Sequence, residues 1–479
     1  MTVATHIRAA LGQLGPSADS RGRRVVVGRS GRRAARGPRE QGIALVMVLA
    51  SVAILAVLLA DMHESTGTAY AVALNEREYL QAEYMAKSGL ALTRLVIAQE
   101  PQIRQTVAPI YQMLLGRPPP QLPVWKLANE LLSPFCDYER AQETTTSMGI
   151  DLGNAEGLGN TPGSCEIVAL AENSKININD PLLRDGNPAR TSTAMQLFAV
   201  VGGYQSPSPY DPLFDRRDAD GQFTSRLDLV SNVIDWWDID AERTIFDPGA
   251  GEVTSIGAED DIYQSFSDPY RVKNAPFDSL EELRLIRGVG DDFWSTFVEP
   301  DLDDPDSRIL TIYGSGSVNP NEAPPPVLLA RLCSYLGDQP LCTDPGEAAK
   351  FIQLVSTVRA LFPVPFFTRA SDFLDFVEGR GGPQGLYPML AAMLGPDNPL
   401  LFRPVTIPPA QRTEIDNTFV TAARILTIQS SGIIRDRDGN ERTRVTVRSV
   451  VNFHDLWTPP PPNAGRMPPL GILHYYRID

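Results

Sequence analysis

Hydrophobic positions follow two different patterns along this chain. From Ile43 to Ala60 they are unbroken, IALVMVLASVAILAVLLA, between Gly42 and Asp61. As a helix that run spans about 27 Å, close to the apolar thickness of a bilayer. Beyond it the pattern turns periodic. Tyr70, Leu74, Leu80, Tyr84, Leu92 and Leu95 recur mostly at helical steps, with Glu76, Arg77, Glu78, Glu83, Lys87 and Arg94 between them. One helix over 43–98 would reach roughly 80 Å. Asp61, Ser65, Thr66 and Gly67 equally permit two helices with a bend near 61–68. Gly89 interrupts the periodic part at a cost of ~1 kcal/mol.

Further on, 101–160 reads as irregular with a helix near 123–132. Residues 165–180, CEIVALAENSKININD, read as strand, turn, strand. Residues 424–454 alternate strongly around an Asp438-Gly439-Asn440 turn, and 470–478 reads as a last strand. Between these β regions, helical patterns occupy 226–237, 278–287, 325–336, 347–361, 369–378 and 409–415. The pattern predicts an α+β fold, with a stem helix on a small antiparallel sheet and a helical domain inserted into it. The expected division is leader 1–42, apolar stem 43–60, remaining stem 61–100, first sheet part 101–180, helical insertion 181–415 and C-terminal β part 416–479. PFDSLEELRLIRGVG (276–290) and PFFTRASDFLDFVEGRGG (365–382) echo each other as two helix-turn units.

Charge adds direction. The chain of 479 residues has a net charge of −15. Residues 1–42 hold nine Arg against Asp19 and Glu40, about +7, which leaves about −22 for the rest. The basic side of an apolar helix stays cytoplasmic, so the acidic body is expected to cross. Such a body repels nucleic acid. Cys136, Cys165, Cys333 and Cys342 form no C-x-x-C, and the imidazoles are His6, His63, His454 and His474, so zinc spacing is missing. Disulfides between sequence neighbours, Cys136–Cys165 and Cys333–Cys342, are expected in an oxidising compartment.

No G-x-S-x-G elbow, H-E-x-x-H or P-loop occurs. Nothing in the sequence indicates an enzyme. Asp235, Asp238, Asp240 and Glu242, followed by Glu259, Asp260 and Asp261, form two acidic clusters. Carboxylates in that density suit a hard cation, but the spacing is not an EF-hand and fits a solvated acidic loop as well. LIRGVGDD (285–292) has the glycines of a phosphate-facing hairpin, yet runs into Asp291 and Asp292, so a packing role is expected. Trp236, Trp237, Trp294 and the Phe366-Phe367 pair are expected in the core.

A basic leader, Gly42, and then the apolar stem from Ile43 resemble the signal of type IV prepilins and type II secretion pseudopilins. That resemblance implies cytoplasmic-side cleavage between Gly42 and Ile43 by the prepilin peptidase, followed by N-methylation. A secretory signal cut after Ala60 and an uncleaved anchor are the competing readings. Most members carry Glu five residues into the mature chain, where this sequence has Met47. A buried carboxylate is tolerable when it pairs with a neighbour's terminal amine. Its absence suits a subunit that does not repeat along a filament.

KININD (175–180), LVSNVIDWWDIDAER (229–243), GAEDDIY (257–263), PYRVKNAPFDSLEELRLIRG (269–288) and SVNPNEAPPPVLLARL (317–332) resemble the K family of minor pseudopilins. The resemblance implies a pseudopilin fold with an inserted helical domain of SAM-like, helix-hairpin-helix-like type. It implies calcium on the acidic positions above, an inner-membrane anchor and a periplasmic body. It also implies minor pseudopilins I and J and the major pseudopilin as partners, and a role in capping and priming a secretion pseudopilus. A minor pilin of a type IV pilus and an anchored periplasmic hydrolase remain the alternatives.

Overall fold

The computed structural model describes residues 40–479 apart from 117, 137–162, 180–186, 216, 218–220, 267, 302–303, 362–364, 383–384, 437 and 454–469. Residues 1–39 of the basic leader, Asp180 and the Pro-rich 458–469 segment therefore lie outside the described residues. The described residues fall into two units that divide between Ala73 and Leu74.

Helix α1 runs unbroken over Glu40–Ala98, so the expected alternative of a bend near 61–68 is not adopted. Its apolar part, in the first unit, is exposed from Ile43 to Leu59. This is the one helix among the described residues long and apolar enough to cross a membrane. All that follows belongs to the second unit.

Helix α2 (Glu100–Leu115) falls in a stretch expected to be irregular. Pro101 at its start and left-handed Gly116 at its end punctuate it. Helix α3 is Ala128–Cys136. Strands β1 (Gly163–Ala171) and β2 (Ile176–Asn177) follow, then α4 (Asn187–Val200), α5 (Arg226–Trp237) and the hairpin β3 (Glu242–Asp247) and β4 (Glu252–Ala258). After β5 (Leu310–Thr311) come α6 (Pro325–Leu336), α7 (Pro345–Leu361), α8 (Ala370–Val377), α9 (Leu386–Leu394) and α10 (Pro409–Thr418). The chain closes with β6 (Ile425–Arg435), β7 (Glu441–Asn452) and β8 (Ile472–Ile478).

The main sheet is antiparallel in the order β1-β6-β7-β8. Its two ends in sequence meet because β1 pairs with β6 from Gly163↔Ile434 to Ala171↔Leu426. The periodic half of α1 lies across this sheet, burying Ala82, Met85, Ala86, Leu90 and Ile97 with Ile167, Leu426, Ile428, Val445 and Val447. Contact is backbone-close at two glycines. A Cβ on Gly89 would run into Ser430, and one on Gly432 would run into the Ala82 carbonyl. The helical cost of Gly89 is therefore offset by close packing on β6.

The helical insertion is built twice on one plan. In the first copy β2 pairs in parallel with β5, and Asn177 Oδ1 accepts from Asn179 N at 2.8 Å. Asn179 then holds Phe277, accepting from its N–H at 2.8 Å and donating to its carbonyl at 2.7 Å. In the second, Val318 bridges in parallel to Phe419, and Asn319 Oδ1 accepts from Asn321 N at 3.0 Å. Asn321 holds Phe366 and Phe367 in the same way. After each Pro-Phe comes a helical turn whose acidic residue accepts from its own cap, Glu282 from Ser279 N and Asp372 from Arg369 N. The first turn, Leu280–Leu285, is 3-10 and the second, α8, is α-helical. One apolar core joins both copies.

Candidate metal centre

Helix α5 starts at Ser225, whose hydroxyl accepts from Asp228 N in a capping box, and it buries nearly every residue from Leu229 to Trp237. It therefore delivers Asp235 and, one step past its end, Asp238 into the interior. The hairpin does the rest. Thr244 N donates to Asp235 Oδ1 at 2.7 Å, and pairing of Glu242 with Ala258 returns the chain so that Glu259 comes back beside Asp238. Oxygens of Asp238, Asp240 and Glu259 come within 4.8 Å of one another.

Asp235 and Asp238 are 1% exposed and Glu259 is 2% exposed. Asp235 Oδ2, both Asp238 oxygens and Glu259 Oε1 are buried without a hydrogen bond. Arg190 is a nearby cation: Nη2 donates to Asp240 Oδ2 at 2.6 Å, and Nη1 lies 3.4 Å from Asp238 Oδ2. Arg243 also acts on Asp235, and two guanidiniums against four carboxylates still leave a negative excess. Burial pushes Asp235 up to about 6, Asp238 up to about 7 and Glu259 up to about 8, the neighbouring carboxylates adding to each shift. Asp240 is held below its usual value, burial being outweighed by its hydrogen bonds from Arg190 and Glu242 N.

Of the acidic positions expected in the site, Asp235 lies behind the trio and Glu242, Asp260 and Asp261 stand away from it. Glu242 is exposed at the start of β3, and only its backbone N–H engages the site, donating to Asp240 Oδ1 at 3.0 Å. Asp260 turns away to accept from Val272 N at 3.0 Å, and Asp261 is exposed. Pairing at the hairpin base allows one acidic residue from the return strand into the cluster. One neighbour was not expected at all. Asn274, with a φ of 49°, donates Nδ2 to the Asp240 carbonyl at 2.7 Å and keeps Oδ1 buried and unbonded.

The donor set fits a hard divalent cation. All of its ligand atoms are oxygens, several are orphaned, and none is sulfur or imidazole.

The other expected residues have simpler settings. Gly42 and Ile43 lie within α1. Cys333 and Cys342 are disulfide-bonded, linking α6 to the short helix Pro340–Thr343. Cys165 is also disulfide-bonded, while the side chain of Cys136 lies outside the described residues. Gly288, at a φ of 99°, packs tightly on Thr224 and Leu229, so the glycine hairpin is a packing element against α5. Trp236 and Trp237 are core, and Trp294 is half-buried under the Arg284 guanidinium at 4.2 Å.

Residues 174–296 match the family described as type II secretion system (T2SS), protein K. The chain carries a protein K domain. The match begins at Ser174, just before β2, and takes in α5, the hairpin and all seven acidic positions. Over this stretch the match ties the chain to type II secretion. Among solved structures the chain is similar to one in "The Crystal Structure of the GspK-GspI-GspJ complex from enterotoxigenic Escherichia coli Type 2 Secretion System". Identity is 12% and the TM-score 0.36, over 71% of this chain and 94% of that one. No curated protein matches the sequence.

Proposed function

We propose that this chain sits at the tip of a type II secretion pseudopilus, where it primes and caps assembly with minor pseudopilins I and J. The observation that carries this reading is the protein K match over 174–296, standing behind an apolar stem helix. In this reading the stem is held in the inner membrane, the acidic body lies in the periplasm, and the major pseudopilin follows below the cap. The prepilin peptidase cuts between Gly42 and Ile43 and methylates the new amine. The role is assembly and not turnover, and movement of the capped fibre supports export through the outer membrane. A subunit at the tip has no need to repeat along the fibre, which agrees with Met47 in place of an acidic residue.

Calcium is the cation we assign to Asp238, Asp240 and Glu259, with Asp235 behind them. When bound it supplies two positive charges to a pocket that Arg190 and Arg243 leave negative. Asp235 holds the hairpin through Thr244 N, Arg190 orients Asp240, and Asn274 fixes the Asp240 backbone.

Mass spectrometry of the membrane-extracted protein tests the assignment of class. N-methyl-Ile43 at the mature terminus supports it, and an intact Met1 or a start after Ala60 refutes it. Deletion of the gene should also stop export of folded substrates while leaving their periplasmic delivery intact.

A further inference from the structure

Asn274 is the one non-glycine residue with a left-handed backbone among the described residues, at a φ of 49°. Glycine, asparagine and aspartate take this conformation at least cost. Glycine would serve the backbone alone. Asparagine adds an amide with two different ends, and the fold engages one of them. Nδ2 donates to the Asp240 carbonyl at 2.7 Å. A carbonyl only accepts, so the nitrogen of the amide faces it and the oxygen faces elsewhere. That oxygen, Oδ1, is buried and has no hydrogen-bond partner.

The cations beside it are committed. Lys273, the preceding residue, spans to Asp278 and Glu282 at 2.8 and 2.9 Å. Arg190 is directed at Asp240 and Asp238. A buried acceptor without a donor is satisfied in a native protein by water or by an ion. The neighbouring oxygens favour the ion. Asp238 is 1% exposed with both carboxylate oxygens unpartnered, and Glu259 Oε1 is buried and unpartnered too. Oxygens of Asp238, Glu259 and Asp240 gather within 4.8 Å, but Asp240 already accepts from Glu242 N and from Arg190. Three carboxylates so placed fall short of the about six to eight oxygens that calcium takes. A further carboxylate would add to the negative excess. A neutral amide oxygen fills the shell without charge, as in calcium sites that recruit Asn and backbone carbonyls.

We propose that Asn274 Oδ1 is a neutral ligand of the cation held by Asp238, Asp240 and Glu259. One amide then does two things: its nitrogen orders the Asp240 loop, and its oxygen completes the shell. This rests on the calcium assignment made above and extends it to a residue outside both acidic clusters. It also accounts for asparagine at a left-handed position. Glycine would give up the ligand, and aspartate would give up the bond to the Asp240 carbonyl.

The experiment is binding of calcium, and of europium as its luminescent substitute, to the full chain in detergent. Europium lifetimes in light and heavy water count the waters on the ion. Only europium that calcium displaces is scored, which removes ions adsorbed on the acidic surface. Asn274→Gly keeps the left-handed backbone and deletes both ends of the amide. Asn274→Asp keeps an oxygen in the ligand position and loses the donor to Asp240. A residue that merely orients a ligand also weakens a metal site about tenfold or more when removed, so affinity alone does not decide. The expected result is that Asn274→Gly weakens calcium about tenfold or more and admits about one additional water, while Asn274→Asp stays within about threefold of the native chain with the water count unchanged. Equal weakening by the two variants, or an unchanged water count in Asn274→Gly, would overturn the proposal. Where Asn274→Gly binds no europium, Asn274→Asp decides: retained binding supports the ligand, and lost binding overturns it. If the native chain binds neither ion, the calcium assignment falls and this ligand with it. If the native chain binds and the water count ignores Asn274→Gly, the ligand alone falls.

Discussion

Asp238→Asn separates a metal centre from an ordinary acidic pocket, because both predict stabilisation in chelator and only the metal centre predicts a response to calcium that the variant loses. Asp238 is 1% exposed, has no hydrogen bond, and is pushed up to about 7. An acid whose folded pKa lies above its unfolded value stabilises nothing at high pH. The metal-free fold is most stable with the group protonated and loses stability as pH rises from about 4 through 7. At pH 7.5 that loss is about 4 kcal/mol for Asp238. Asparagine keeps the shape and removes the charge. Arg190 gives up only its 3.4 Å approach to Asp238 and keeps Asp240, so the net gain is about 3 kcal/mol. For a lobe of this size the melting temperature of the variant should rise by roughly 6–12 °C in chelator. Calcium should act the other way. At a hundred times its dissociation constant it stabilises the native centre by about 2.7 kcal/mol, and the variant, short of one ligand, gains little. The assay is tryptophan fluorescence on thermal melting of the full chain in detergent, since Trp236 and Trp237 adjoin the site. A variant that melts below the native chain in chelator, or that shifts as much with calcium, would refute the argument.

Gly432→Ala should destabilise the stem–sheet contact by about 1–3 kcal/mol, since the new methyl meets the α1 backbone at Ala82; proteolysis between α1 and β6 reads it. Lys126→Met should cost about 3 kcal/mol at pH 7.5 by leaving buried Glu322 without its 2.8 Å partner. Burial already raises Glu322, so this penalty should grow as pH rises and shrink near pH 5, measured by urea titration at both pH values. Replacing Cys333 and Cys342 by Ser opens a loop of nine residues' separation and should lower stability by about 2–3 kcal/mol in the same titration.

The stem and the main sheet were legible because their periodicities are long and regular: the apolar run to Ala60, the steps through Leu95, and the alternation either side of Asp438-Gly439-Asn440. The acidic site was legible only as composition. Its geometry depends on the β3–β4 hairpin, whose signal, Glu242-Arg-Thr-Ile-Phe and Glu252-Val-Thr-Ser-Ile around Asp247-Pro-Gly-Ala-Gly, is masked by the acidic residues on either side. Without the hairpin nothing ranks Glu259 over Asp260 or Asp261. Asn274 carried no signal at all, because its role comes from a left-handed backbone that brings it under Asp240. The echo between 276–290 and 365–382 was the visible end of a larger repeat. Its other end, Asn177–Asn179 and Asn319–Asn321, lies too far away in sequence for local pattern to connect.

The doubled lobe leaves each copy fastened by a different chemistry. Beside the first Asn clamp lies the acidic cluster to which we assign a divalent cation. In the second, the same architecture carries no such cluster among the described residues and is tied covalently between Cys333 and Cys342. On that assignment the two siblings should loosen one at a time, the first in chelator and the second in reductant. The order in which they let go would show which of them the rest of the molecule leans on.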